Sequence, residues 1–249
     1  MGVGALRKFE HLPKWPGGEA LAPTHRWWAA PDNSFNNRAY GPMDTIVIHA
    51  TAGHNSSGAM SVTQSGNASW HWLMPDEDES PHGDHVWRCV ADEKKAWHVR
   101  KQVKFPIDNK RDINSRSVGI EIVNAQIGEG DPFSQWQVAV TAQTVNYYRS
   151  KHPDRRFYLA THSFLDPERR NDPGNIFDWQ RFMSLLETGE PELVDVDDYA
   201  ADAVSWVKEQ GLMTGVSEQL FGGRDPVKRQ DLAIILKRLH DGLKPADEG

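Results

Sequence analysis

The stretch TIVIH, residues 45–49, is the part of the sequence that says most about the fold. It is a run of β-branched residues with no charge before the histidine, which is typical of a buried strand. Short apolar stretches recur at SVGIEIV (117–123) and FYLATH (157–162). WHWLM (70–74) and HVWRCV (85–90) predict two strands joined by an acidic loop. The chain is therefore predicted to contain a central β-sheet.

Helical patterns separate these strands. Residues 132–152 place apolar side chains at roughly helical spacing, and Ser134 is a suitable N-cap. Residues 178–188 predict a shorter helix opened by Asp178. Strands that alternate with helices indicate an α/β domain, and we expect its central sheet to be mixed.

The character of the chain changes at residues 187–198, where glycine, proline and acidic residues cluster. We place a linker there and predict two domains, residues 1–189 and 190–249. In the second domain only helices are expected, at 198–211 and 225–240. Together they form a small all-α module with a marginal core of its own.

Charge and composition exclude several classes of function. Most of the formal net charge of −7 lies in residues 190–249, where 13 acidic residues stand against 7 basic ones. An acidic tail on a near-neutral body argues against a nucleic-acid partner. No run of about 18 apolar residues exists, so no membrane insertion is expected. With Cys89 as its one cysteine, the chain forms no internal disulfide and no cysteine-based zinc cluster.

Candidate metal ligands stand at the ends of predicted strands. His49 and His162 each end a strand, where a rigid scaffold can present an imidazole to a cleft. Asp172 lies on a turn stiffened by Pro173, ten residues after His162. Two neutral imidazoles and one carboxylate suit Zn²⁺ and leave a fourth coordination position for water. Glu121 adds an ionisable group within an apolar strand.

Each of these residues also has a structural interpretation. A histidine at a strand end is more often a hydrogen-bonded edge residue, and with 11 histidines in the chain two such cases can arise by chance. Glu121 could point out of the pleat towards solvent. The segment around Asp172 could be a charged turn. Spacing alone leaves these alternatives open.

Several motifs in order resemble one enzyme family. DTIVIHATAG, NASWHWLM, AWHV, SVGIEIVN and THSFLDPERRNDPG resemble the zinc-dependent N-acetylmuramoyl-L-alanine amidases of the type-2 group, whose fold is shared by peptidoglycan recognition proteins. The resemblance covers about residues 23–187. It implies a mixed sheet flanked by helices, with Zn²⁺ in a cleft that receives the peptide stem of peptidoglycan.

The resemblance also implies residue roles. His49, His162 and Asp172 match the zinc ligands, and Glu121 matches the catalytic acid. Arg170 stands where active relatives often carry lysine. Because arginine keeps its charge, it could stabilise an oxyanion but not donate a proton, which leaves proton transfer to Glu121.

Four further residues are expected to bind substrate. One of them, His98, lies in a motif that departs from the family pattern: relatives commonly have glycine after this histidine, and this chain has Val99. The predicted substrate-binding set is Trp70, His71, His98 and Asn114.

The tail carries a second resemblance. Residues 195–239 resemble a single S-layer homology motif, with an acidic opening and a basic position at Arg229. Such modules commonly attach proteins to cell-wall polymers. A helical hairpin packed on the catalytic domain is the alternative.

These features predict a bacteriolytic peptidoglycan hydrolase that cleaves the amide between N-acetylmuramic acid and L-alanine through a zinc-activated water. The N-terminus shows no signal-peptide pattern, so we expect a phage or prophage endolysin that is made in the cytoplasm and acts on the wall after release. Alternatives are a non-catalytic recognition protein of the same fold, a cytoplasmic muropeptide-recycling amidase, or a zinc peptidase. The complete set of four site residues favours an enzyme.

Overall fold

The computed structural model describes most of the first 188 residues and a few short segments after them. The described residues are 8–15, 18–39, 42–83, 85–125, 132–188, 203–204, 206–207, 212–213 and 229–242. The chain divides into two compact units, residues 1–189 and 190–249.

Nine strands and four helices form the described part of the first unit. The strands are β1 (Phe9–His11), β2 (His25–Trp27), β3 (Phe35–Asn37), β4 (Thr45–Ala50), β5 (Trp72–Met74), β6 (Val86–Arg88), β7 (Lys94–Ala96), β8 (Ser117–Ile122) and β9 (Tyr158–Thr161). The helices are α1 (Ser56–Gln64), α2 (Gln135–Lys151), α3 (His162–Leu165) and α4 (Trp179–Thr188). Short 3₁₀ helices cover Asp32–Ser34 and Ile113–Arg116.

Seven of the strands form one mixed sheet in the order β1-β9-β4-β8-β5-β6-β2. The four central strands β9, β4, β8 and β5 run parallel to one another, whereas β1 and the β5–β6 pair are antiparallel. Strands β3 and β7 form a separate two-stranded sheet. The predicted mixed α/β fold is therefore confirmed.

Helices cover both faces of the central sheet, which explains why β4 and β8 are buried along their whole length. On one face, Trp72 of β5 donates a 2.8 Å hydrogen bond to the hydroxyl of Tyr148 in α2, and α2 packs against α4. On the other face, Met60 of α1 packs in one apolar cluster with Leu73 of β5. Continuous apolar strands are what such double burial requires.

The helix starts follow their sequence signals. Ser134 accepts from the backbone of Gln137, and the Gln137 side chain accepts from the Ser134 amide, so the predicted N-cap is confirmed as a full capping box. At the start of α4, the carboxylate of Asp178 accepts a 3.0 Å bond from the Arg181 amide.

Some elements differ from the prediction. Helix α1 and the short strands β1, β2, β3 and β7 were not predicted. Because β1 pairs with β9, the sheet begins before residue 23, where the family resemblance begins. The strand of FYLATH ends at Thr161, and His162 is already the first residue of α3.

The second unit is described only in part. Residues 203–204 and 206–207 are helical, within the predicted helix 198–211, and Arg229–Gly242 forms a helix that overlaps the predicted 225–240. Of the predicted linker, residues 187 and 188 belong to α4, and residues 189–198 lie outside the described residues, as does the rest of the predicted helices. Nowhere in the described ranges is a helix both long and apolar enough to cross a membrane.

We expect the stability of the first unit to depend on the β4 core. Ile46 is fully buried, whereas Ile107 is 55% exposed. Replacing Ile46 by alanine leaves a cavity and should lower the free energy of unfolding by about 2–5 kcal/mol. The matched exposed change Ile107→Ala should stay within about 0.5 kcal/mol. Urea unfolding followed by tryptophan fluorescence measures both, and equal losses would contradict this burial assignment.

Candidate metal centre and cleft

The parallel pairing of β4 and β9 brings two histidines together. Ile48 is the register partner of Thr161, so His49 of β4 and His162, the residue that follows β9, come together at the carboxyl edge of the sheet. Their Nδ1 atoms are 2.9 Å apart. Both side chains are buried, and the sheet therefore presents two imidazoles at one point.

Asp172 completes the cluster from the loop that follows α3. Its Oδ2 atom lies 3.1 Å from His162 Nδ1 and 3.7 Å from His49 Nδ1. Its backbone carbonyl accepts from the Ser163 amide at 3.0 Å, which ties the loop back to α3. The turn continues through Gly174 at φ +80, a left-handed conformation that favours glycine.

These three donors fit a divalent metal ion. In tetrahedral zinc sites with bonds of about 2.0–2.1 Å, neighbouring ligand atoms are about 3.3 Å apart, and the three distances observed here, 2.9, 3.1 and 3.7 Å, bracket that value. His49, His162 and Asp172 form the group that could hold a metal among the described residues.

The protonation states suit the same role. Burial, helped by the neighbouring His162, lowers the pKa of His49 to about 4 and keeps its imidazole neutral, which is the ligand form. Burial alone would raise the pKa of Asp172, but the neighbouring imidazoles of His162 and His49 hold it well below its usual range. The cluster therefore offers a neutral imidazole beside an ionised carboxylate.

Glu121 stands beside the cluster on the next strand. It is the register partner of His49 in the β4–β8 pair, so the two side chains rise from the same face of the sheet. Burial raises the pKa of Glu121 well above its ordinary value, the charge of Asp172 raises it further, and Arg170 opposes the shift. Such a carboxyl holds a proton more strongly than an exposed one does, which suits an acid–base role.

A cleft of about 250 Å³ opens over the cluster. Arg170 lines this cleft although its side chain is otherwise exposed. The full lining is His49, Ala50, Thr51, Ala59, Val62, Ala68, Trp70, His98, Glu121, His162, Arg170 and Asp172. All five predicted metal and catalytic residues therefore meet in one place.

Helix α1 contributes a wall that the sequence did not predict. Its residues Ala59 and Val62 line the cleft, and Val62 is 44% exposed. The helix begins at the N-cap Asn55, whose side chain accepts from the Gly58 amide at 2.7 Å. The cap is the one signal in the sequence that could have indicated this wall.

The four predicted substrate-binding residues separate into two pairs. Trp70 and His98 line the cleft. His71 does not: its side chain is fully buried, with Nδ1 accepting from the Gly119 amide at 3.0 Å. Burial and the nearby Arg38 lower the pKa of His71 to about 3.

Asn114 also lies away from the cleft lining. Its side chain accepts from the Val99 amide at 2.9 Å and donates to the Val99 carbonyl at 2.8 Å. This bidentate clamp fixes the backbone beside His98. The direct substrate contacts predicted for His71 and Asn114 are therefore replaced by structural contacts in the interior.

Comparison with known proteins gives two family matches. Residues 26–175 match the family described as N-acetylmuramoyl-L-alanine amidase (Amidase_2). Residues 194–233 match the S-layer homology domain.

Individual relatives cover the same region. The N-acetylmuramoyl-L-alanine amidase AmiD of Escherichia coli K12 is 25% identical over 170 residues, covering 66% of this chain and 60% of AmiD. The 1,6-anhydro-N-acetylmuramyl-L-alanine amidase AmpD of Enterobacter cloacae is 32% identical over 107 residues, covering 41% of this chain and 52% of AmpD. The chain thus spans between about half and three fifths of these curated relatives.

Among solved structures, the complex of E. coli AmiD with the substrate anhydro-N-acetylmuramic acid-L-Ala-D-gamma-Glu-L-Lys has a TM-score of 0.47 at 26% identity, covering 59% of this chain and 58% of AmiD. Because the Amidase_2 match spans more than half of the sequence, this chain belongs to the N-acetylmuramoyl-L-alanine amidase family.

Proposed function

We propose that this protein is a zinc-dependent N-acetylmuramoyl-L-alanine amidase that cleaves the amide between N-acetylmuramic acid and L-alanine in peptidoglycan. The observation that carries the proposal is the cluster of His49, His162 and Asp172 beside the buried carboxyl of Glu121, at the floor of an open cleft. Family membership supports this substrate class, and the cluster supports this chemistry.

The metal would be held by Nδ1 of His49, Nδ1 of His162 and Oδ2 of Asp172. When bound there, zinc would supply Lewis-acid activation of the scissile amide and of a water molecule. The donor set of two imidazoles and one carboxylate is one that catalytic zinc sites use, with a position left for water or substrate.

Glu121 carries the proton transfers in this proposal. Its raised pKa, its place beside His49 and its exposure to the cleft allow it to take a proton from the attacking water. It then returns the proton to the departing amine of L-alanine. Protonation of that amine completes cleavage, because an amide anion is a poor leaving group.

Arg170 supplies a fixed positive charge at the cleft wall. Its charge acts on Glu121 at the floor of the cleft, because it lowers the pKa of that carboxyl against the effect of burial. A guanidinium at this place can stabilise the negative charge that develops on the carbonyl oxygen during attack. It cannot act as the acid, because arginine stays protonated at any working pH.

The C-terminal match favours wall peptidoglycan over soluble muropeptide as the substrate. A catalytic unit joined to an S-layer homology match suits an enzyme that holds to a cell-wall polymer while it cleaves nearby stems. A protein that only binds peptidoglycan would not require a carboxyl such as Glu121 beside three metal ligands, so the site favours an enzyme over a non-catalytic recognition protein. That the chain is a phage or prophage endolysin, made in the cytoplasm and bacteriolytic after release, remains a prediction.

Removing the metal should abolish cleavage. Purified peptidoglycan treated with the protein should release stems with free L-alanine amino termini, detected by mass analysis of the new ends. A chelator should stop this release and added Zn²⁺ should restore it. Release that persists in the metal-free protein would contradict a zinc mechanism, and new ends within the stem would indicate a peptidase.

Glu121→Gln should retain zinc and lose activity, because the amide keeps the size of the side chain but cannot transfer protons. We expect kcat to fall by about 10²–10⁴-fold. Metal content measured alongside should stay at one ion per chain. The exposed change Glu10→Gln on β1 is the matched control and should leave kcat unaltered. Full activity in Glu121→Gln would remove this residue from the mechanism.

Deleting residues 190–249 should weaken binding to cell walls. Co-sedimentation with wall fragments should drop, while cleavage of small soluble muropeptides should stay near that of the full chain. Unchanged sedimentation would show that the C-terminal unit is not a wall anchor.

A further inference from the structure

The ring of His98 uses both of its nitrogens inside the protein. Its Nδ1 lies 3.0 Å from Nε2 of His49, and its Nε2 lies 3.1 Å from Oγ of Ser117. Ser117 Oγ in turn lies 2.9 Å from the carbonyl oxygen of Ile113. His98 is 7% exposed, His49 is 2% exposed and Ser117 is fully buried, so a continuous hydrogen-bonded chain runs inward from the metal cluster.

The donor and the acceptor in each of these hydrogen bonds follow from the innermost group, the carbonyl of Ile113. A carbonyl oxygen can only accept, so the Ser117 hydroxyl donates to Ile113 and must accept from His98. His98 therefore carries its proton on Nε2, and its bare Nδ1 accepts from Nε2–H of His49. A neutral His49 protonated on Nε2 has an unprotonated Nδ1, the atom that faces His162 and Asp172.

Gly119 makes room for this arrangement. Ser117, Gly119 and Glu121 are every second residue of β8, so they lie on one face of the sheet, the face that His98 contacts. A Cβ at Gly119 would lie 2.6 Å from Cγ and 2.9 Å from Nδ1 of the His98 ring. Since real Cβ atoms do not approach so closely, the missing side chain is what lets His98 lie between His49 and Ser117.

We infer that His98 and Ser117 are positioning residues that hold His49 in the one tautomer whose Nδ1 can bind the metal. The inference rests on the proposed zinc function and adds a role to it. Partners of this kind behind a metal-binding histidine fix its tautomer and ring orientation. The sequence predicted that His98 binds substrate, but with both nitrogens engaged it offers the substrate only its carbon edge.

The tautomers can be read directly in the metal-free full-length protein. Long-range ¹H–¹⁵N correlation spectra distinguish rings protonated on Nε2 from rings protonated on Nδ1. We expect both His49 and His98 to be protonated on Nε2 at neutral pH, with the His98 signals assigned through their loss in His98→Gln. A proton on Nδ1 of His98 would overturn the inference.

The second measurement is the zinc dissociation constant, obtained by competition with a chromophoric chelator. Ser117→Ala removes the acceptor for His98 and should raise the constant by about 10- to 100-fold. Ser115→Ala is the matched control, because Ser115 is equally buried but bonds to Asp112 and to the Ala39 amide. Its zinc affinity should equal that of the wild type.

The outcomes separate the two proposals. Wild-type protein that binds no zinc would overturn the proposed function. Zinc-binding wild type with an unchanged constant in Ser117→Ala would overturn only the positioning role of Ser117 and His98. A weaker constant in Ser117→Ala, with thermal unfolding of the metal-free variant no lower than that of Ser115→Ala, would support it, since a merely structural role would move the unfolding temperature instead.

Discussion

The register between three parallel strands is the constraint on which the site depends. Pairing of Ile48 with Thr161 sets His49 level with His162, and pairing of His49 with Glu121 puts the carboxyl beside them. A slip of one residue in either pair would turn one of these side chains to the other face of the sheet. The register is held by the apolar residues between the polar ones, because the sheet is buried on both faces. The packing of the core therefore also sets the positions of the site residues.

Burial gives these polar groups their chemical character. Burial lowers the pKa of His49 and raises that of Glu121, so one site contains a neutral imidazole and a carboxyl with a raised affinity for a proton. Water at the same positions would erase both shifts. The sheet supplies the floor of the cleft and α1 supplies one wall. Arg170, at the wall, is the cation that moderates the shift of Glu121.

The sequence predicted the centre of this structure well and its periphery poorly. TIVIH and SVGIEIV are apolar runs typical of buried strands, and the capping residues of α2 and α4 were visible in the sequence. Helix α1 was missed because its sequence SSGAMSVTQ is rich in small and polar residues, which indicate loops as often as helices. Strands β1 and β2 are three residues long and largely exposed, so pairing with their neighbours determines them. His71 lies next to Trp70 in sequence, but its side chain is fully buried and bonded to the Gly119 amide, a contact that the local pattern does not reveal. The link from His98 to Ser117 spans 19 residues and depends on the absence of a side chain at Gly119, which no local pattern reveals.

The central claim is that two imidazoles and one turn-borne carboxylate hold a single zinc ion. Anomalous diffraction at the zinc edge, from crystals grown with the metal, tests it most directly. We expect one strong peak at about 2.0–2.2 Å from Nδ1 of His49, Nδ1 of His162 and Oδ2 of Asp172. A peak bound by other residues, or no peak at a zinc concentration that supports peptidoglycan cleavage, would contradict it.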